Sequence, residues 1–299
     1  MALPVIPAYP MPTVVDIPQN KVDWKPDSSR AVLLIHDMQN YFMDAYETRE
    51  SPVNDLIANL RLLKNRCQEA GIPVIYTRQP GGQTPDERGL LLDFWGPGLN
   101  DGPYQQAIIQ ELSPGVTDLT LTKWRYSAFQ KTELRAIMRD MKRDQLLIGG
   151  VYAHIGCLMT ACEAFMLDIE AFCVADAQAD FSRGQHQMAL HYAAERCAAV
   201  WTTGQLLNEL KVKQEARTGS EPAITKKYLA EAVAAMIPVS PLDLNDQDNL
   251  VQQGIDSIRM MSLVETLRGK GASVTFTDLA ESPTLADWWA LISSESLTG

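Results

Sequence analysis

The chain has 299 residues, 46% hydrophobic and 21% charged, which fits ordinary globular folding as one large or two unequal domains. No run reaches the roughly 18 apolar residues of a membrane span, and a net charge of −11 sets the molecule against nucleic acid and anionic membranes. The cysteines (Cys67, Cys157, Cys162, Cys173, Cys197) are odd in number without CxxC spacing, and no HExxH pattern exists, which argues against disulfides and against a metal site.

The N-terminal stretch MALPVIPAYPMPTVV lacks a basic region and is broken by prolines, so it does not read as a signal peptide and a cytoplasmic protein is expected. Residues 1–30 hold six of the 17 prolines and read as an extended arm. Ala31–His36 (AVLLIH) is a continuous apolar run, the pattern of a strand buried on both faces. Val53–Ala70 reads as a helix with Ser51 as N-cap, Pro52 at its first position and Gly71 as its stop. Further strands are expected at Pro73–Thr77, Asp118–Thr122, Gln145–Gly149, Phe172–Ala175 and Ala198–Thr202. Helices are expected at Glu133–Arg143, Gly156–Asp168 and Gln185–Arg196. Strands alternating with helices mean a parallel six-stranded sheet covered on both faces, a three-layer α/β/α domain over residues 31–210. Residues 211–222 (KVKQEARTGSEP) are polar and charged and read as a linker. Residues 223–299 show helical patterns only and read as a small all-α domain.

In open parallel sheets, ligands bind beyond the carboxyl ends of the strands. Asp37 follows the first strand, Lys123 the third, and GGVYAHIGC follows the fourth and opens a helix near Gly156, whose free N–H groups could cradle an anion. Singly, Asp37 also fits a turn residue and Lys123 a solvated charge. The convergence of an acid, a base and an anion cradle is what points to a site.

The segments LLIHDMQNYF, TKWRYSAFQ, GVYAHIGC and VADAQADFSR resemble the isochorismatase-like branch of the cysteine hydrolase superfamily, which includes nicotinamidases, over about residues 15–210. That superfamily uses an Asp–Lys–Cys triad, and Asp37 and Lys123 match its first two members. Gly156 stands at the nucleophile position and Cys157 falls one residue late. Adjacent helical residues point about 100° apart, so Cys157 should not replace the nucleophile. Amide hydrolysis needs a nucleophile; the enolpyruvyl ether of isochorismate needs only a general acid, with Asp37 expected in that role. The resemblance further implies that Gln79, Arg88, Tyr152 and Gly156 line the substrate pocket. Arg88 suits a bidentate grip on a carboxylate, while the alternative for Gln79 and Arg88 is a mobile polar loop, QPGGQTPDERG. Phe42 and Trp95 fit either a pocket wall or core packing. Lys123 should depress the pKa of Asp37, which must nevertheless carry a proton, so their titrations are expected to be coupled.

In LVQQGIDSI, Asp256-Ser257 precedes a helix whose Met260, Leu263, Val264 and Leu267 recur on one face. Alone, Ser257 fits an N-cap. The segment G-x-D-S-[hydrophobic] resembles the start of the second helix in carrier domains of nonribosomal peptide synthesis, a likeness covering about residues 223–294. It implies a four-helix carrier with 4′-phosphopantetheine on Ser257, at a helix N-terminus that favours phosphodiester charge. Met261, Phe276 and Ala280 are the nominated partner-docking positions, with buried core the rival for Phe276. Together the two resemblances imply an isochorismatase joined to an aryl carrier, as in catecholate siderophore assembly. The partners so implied are a phosphopantetheinyl transferase, an aryl-acid adenylating ligase and the condensation domain of a nonribosomal synthetase, and a homodimer is expected. The rival expectations are a nicotinamidase-like hydrolase using Cys157 and an inactive scaffold presenting only Ser257.

Overall fold

A computed structural model describes residues 3–210, 224–234, 236–237, 245–255, 257–270 and 272–295. The chain divides into two compact units, Met1–Lys213 and Gln214–Gly299. The segment read as a linker, 211–222, lies outside the described residues.

The first unit runs β1 (Ala31–His36), α1 (Asn40–Met43), α2 (Val53–Glu69), β2 (Val74–Arg78), α3 (Pro85–Arg88), α4 (Leu91–Trp95), α5 (Pro103–Gln106) and β3 (Leu119–Thr122). It continues with α6 (Leu134–Asp140), β4 (Gln145–Val151), α7 (Leu158–Met166), β5 (Glu170–Ala179), α8 (Arg183–Arg196), β6 (Ala198–Trp201) and α9 (Thr203–Glu209). The six strands are all parallel, in the order β3-β2-β1-β4-β5-β6. Alternate residues of β1 serve opposite faces, as a strand's period of two requires. Leu33 and Ile35 join Leu56 and Leu60 of α2 and Leu206 of α9. Val32 and Leu34 join Met138 of α6, Ala161 of α7 and Leu190 of α8. These two clusters make three layers. The strand order reverses between β1 and β4, and this switch point opens a crevice at the carboxyl ends of the strands.

Several details differ from the sequence reading. Ser51 does not cap α2: Pro52 stands at the cap with no side-chain bond, and Ser51 Oγ instead accepts the Met11 N–H at 3.0 Å. The arm is partly regular and partly core. Val14–Asp16 forms a 3-10 turn, Ile6 is buried against Tyr46, and its N–H donates to Ala45 O at 2.8 Å. The helix expected from Gly156 begins at Leu158, because residues Ala153–Cys157 form a wide turn closed by the Cys157 N–H to Tyr152 O bond at 3.2 Å. α9 was not anticipated, although Thr202 and Gln205 form a capping box ahead of the buried Leu206.

The second unit contains α10 (Lys226–Ala234), α11 (Ser257–Gly269), α12 (Phe276–Glu281) and α13 (Leu285–Glu295). Met260, Leu263, Val264 and Leu267 all face its core, with Leu229, Leu279, Leu285 and the fully buried Trp288. The Trp288 indole N–H donates to Leu279 O at 2.9 Å, which satisfies the one polar group this side chain carries inward.

Candidate active site

Asp37 is the first residue beyond β1, and its φ of 50° lies in the left-handed region. That conformation costs a non-glycine residue energy, but an aspartate tolerates it better than most. Thr77, at the same level of neighbouring β2, takes up the strain on both sides: its hydroxyl donates to Asp37 Oδ1 at 2.7 Å and accepts the Asp37 N–H at 3.2 Å. Lys123 follows β3, where its N–H donates to Arg78 O at 2.8 Å. Its side chain is buried, with Nζ 2.9 Å from Asp37 Oδ2 and donating to Arg125 O at 2.7 Å. Gln79 Nε2 completes the carboxylate's surroundings, donating to Oδ2 at 3.1 Å.

Burial by itself would raise the pKa of Asp37. The Lys123 charge, the nearby His36 and the hydrogen bonds from Thr77 and Lys123 outweigh it and hold the carboxyl below the ordinary aspartate value. The direction favours the ionised carboxylate, as the proximity of Lys123 predicts.

Arg88 closes α3, whose N-cap Thr84 accepts the Glu87 N–H. Its guanidinium is buried, donating from Nε to Gly96 O at 3.0 Å and from Nη1 to Gln79 Oε1 at 3.2 Å. Gln79 thus links the acid to the arginine through its two amide ends. The mobile-loop alternative does not describe these residues: Arg88 is clamped, with Gly98 so close that a Cβ there would meet the guanidinium at 2.7 Å.

Asp37, Lys123, Gln79, Arg88, Tyr152, Gly156, Phe42 and Trp95 all line one pocket at the switch point. Phe42 is both wall and core, since it also packs in the cluster beneath the sheet. Trp95 donates its indole N–H to Tyr126 Oη at 2.7 Å and stands edge-on to Phe181. The Tyr152 hydroxyl is committed to Phe42 O at 3.1 Å, so this residue offers the pocket its ring rather than a free phenol. His36, Arg125, Tyr126, Ile155 and Phe181 also line the pocket and were not singled out from the sequence. The signal available for Thr77 was its place at a strand end beside Asp37; Phe181 lies within the VADAQADFSR segment just beyond β5, where the resemblance did not mark it as a pocket residue.

Cys157 is fully buried in the opposite cluster, with Val32, Leu34 and Ala161, and its thiol is pushed far up by burial. It does not line the pocket. In the second unit, α11 begins at Ser257, at the amino end of the helix as either the cap or the carrier reading requires; Asp256 lies outside the described residues. The amino end of this 13-residue helix fits a phosphodiester. Met261 is 57% exposed, Phe276 is 38% exposed and Ala280 is exposed, so Phe276 is not a core residue.

Residues 31–205 match the Isochorismatase domain family, and residues 227–292 match the family of the phosphopantetheine attachment site. The isochorismatase of Bacillus subtilis (strain 168) is 56% identical over 302 residues, covering 99% of this chain and 97% of that protein. Enterobactin synthase component B of Escherichia coli (strain K12) is 44% identical over 295 residues, covering 99% of both. A crystal structure of a cysteine hydrolase from Pseudomonas syringae pv. phaseolicola 1448A shares the fold with a TM-score of 0.58 at 20% identity, covering 64% of this chain and 97% of that one. An acid held between lysine and threonine at the sheet's switch point, a glycine facing it, and these full-length likenesses lead to one conclusion: the chain belongs to the isochorismatase family and carries a phosphopantetheine-attachment domain after its hydrolase domain.

Proposed function

We propose that the first unit hydrolyses the enolpyruvyl ether of isochorismate to 2,3-dihydro-2,3-dihydroxybenzoate and pyruvate, and that the second carries an activated aryl acid as a phosphopantetheinyl thioester on Ser257. The observation that carries the hydrolase reading is the buried Asp37–Lys123 pair, 2.9 Å apart, in a pocket where position 156 has no side chain. Such a site holds a proton donor and no nucleophile. Asp37 protonates the terminal vinyl carbon, water adds to the resulting oxocarbenium carbon, and the hemiketal collapses to pyruvate and the diol. The substrate supplies the condition for this step. Its carboxylates, seated against Arg88 and Lys123, cancel the positive charge that keeps Asp37 ionised, and burial then drives the carboxyl toward its protonated form.

The family likenesses support the carrier reading, as does the helical start at Ser257. The partners of this reading are a phosphopantetheinyl transferase, an aryl-acid ligase and a condensing synthetase, with Met261, Phe276 and Ala280 as the docking face. A homodimer belongs to the same reading, and the exposed apolar Leu90, Phe94 and Met166 supply surface for it. Among the described residues, no helix is long and apolar enough to cross a membrane. The nicotinamidase-like alternative has no support in the site, because Cys157 faces away from it.

Asp37→Asn keeps size and shape while removing the acid. Pyruvate release from isochorismate should fall by at least about 10²–10⁴-fold while the circular dichroism spectrum is unchanged. Near-wild-type release by the folded variant would remove Asp37 from the chemistry, and no release by the wild type would end the hydrolase reading.

A further inference from the structure

We propose that His36 is a specificity-determining residue, whose imidazole takes the space that any side chain at position 156 would need and so keeps a covalent nucleophile out of the site. The inference rests on the hydrolase reading above. His36 is the last residue of β1, fully buried, and its ring reaches the same pocket as Asp37 and Gly156. A Cβ built on Gly156 would stand 2.2 Å from His36 Cε1, 2.8 Å from Nε2 and 3.0 Å from Nδ1. All three nearest atoms belong to the imidazole. The obstruction at position 156 is therefore this ring, and no neighbouring backbone contributes to it at closer range.

The ring is anchored through one nitrogen. Nδ1 lies 2.9 Å from Val151 O, which makes it the donor of the neutral imidazole. The backbone beneath is held as tightly: β1 pairs with β2 and β4 at this level, and a Cβ on Gly150 would meet His36 O at 2.1 Å. Two glycines thus enclose His36, one against its backbone and one against its ring. On the side of the acid, Nδ1 is 3.8 Å from Asp37 Oδ2, so the ring and the carboxylate are close neighbours. The consequence is chemical. With the ring in place, position 156 presents only backbone to the substrate, and the acid acts without a competing nucleophile. With the ring absent, the three closest obstructions to a side chain at position 156 are gone.

The test is a double-mutant cycle on the full chain using Gly156→Ala, His36→Asn and the pair, read by pyruvate release and thermal melting. Asparagine retains a donor for Val151 O and removes the ring edge. Gly156→Ala should lower kcat by about 100-fold, as expected when a reacting group is misplaced by an ångström, with KM changed far less, and should lower Tm. His36→Asn in that background should restore kcat by at least about tenfold and recover Tm, a coupling of the kind contacting residues show. If Gly156→Ala alone fails to fold, recovery of a folded double variant reads the same coupling. A double variant no more active and no more stable than Gly156→Ala, or a fully active Gly156→Ala protein, overturns the proposal. A wild type that releases no pyruvate would sink the hydrolase reading instead, while the melting temperatures would still decide the steric claim.

Discussion

Buried side chains of the first unit matter through their protonation as much as their position. His36 and His186 are both fully buried, and burial pulls each pKa down to about 4. In the unfolded chain they would take up protons below an ordinary value near 6.5. The unfolded state therefore binds more protons than the native state as pH falls, and stability is lost between about pH 6.5 and 4, then lost no further through these groups below 4. Each contributes about 3 kcal/mol to that loss. We expect denaturant midpoints to fall across this window, with His186→Gln removing about half of the histidine contribution; a flat profile in the wild type would contradict the buried neutral imidazoles. Asp37 gives the companion prediction. If ligand binding protonates it, calorimetry with an unreactive dicarboxylate analogue should report uptake of about one proton across buffers of different ionisation heat, and Asp37→Asn should abolish it. Equal heats in all buffers would refute substrate-driven protonation. At position 157, removing a buried thiol that does not touch the pocket should cost stability and little activity, so a folded Cys157→Ala protein should keep most of its pyruvate release. Loss of that activity would revive the thiol as nucleophile.

At the level of elements, the site is assembled from strand ends. β1 delivers His36 and Asp37, β2 delivers Thr77 and Gln79, β3 delivers Lys123, and β4 leads into Tyr152 and Gly156. Parallel strands align these ends because their register is continuous, His36 pairing with Thr77 on one side and Gly150 on the other. In the small unit one side chain dominates the core. Trp288 is fully buried among Leu229, Leu263 and Leu279. Trp288→Ala should destabilise that unit by about 3–5 kcal/mol, a large share of what a domain near the lower size limit possesses. Far-UV circular dichroism and loss of modification at Ser257 would register the change, with pyruvate release unaffected. A variant that is still modified at full rate and melts as before would show that the core does not depend on this residue.

For the whole molecule, the first unit has two hydrophobic clusters and the second a cluster of its own, and the two proposed chemistries share no residue. A fragment of residues 1–215 should release pyruvate at close to the full rate, and residues 216–299 should fold as a helical unit. With a phosphopantetheinyl transferase and coenzyme A, the second fragment should gain one phosphopantetheinyl group by intact mass, and its Ser257→Ala variant none. Modification that persists without Ser257 would remove the carrier assignment. The sequence by itself was sufficient for the strand and helix alternation, because apolar runs and periodic faces are local patterns. It also pointed to Asp37, Lys123 and Gly156 as candidates, through motifs that lie close to strand ends. The amphipathic face of α11 was legible for the same reason. What only the tertiary structure decided were relations between distant segments. Gln79 bridges Asp37 to Arg88, the Tyr152 hydroxyl turns to Phe42 O, and Ser51 serves the N-terminal arm and not its own helix. The meeting of His36 with Gly156 is of this kind. Residues 120 positions apart carry no mutual signal in one sequence, and only the pairing of β1 with β4 brings the ring over the glycine.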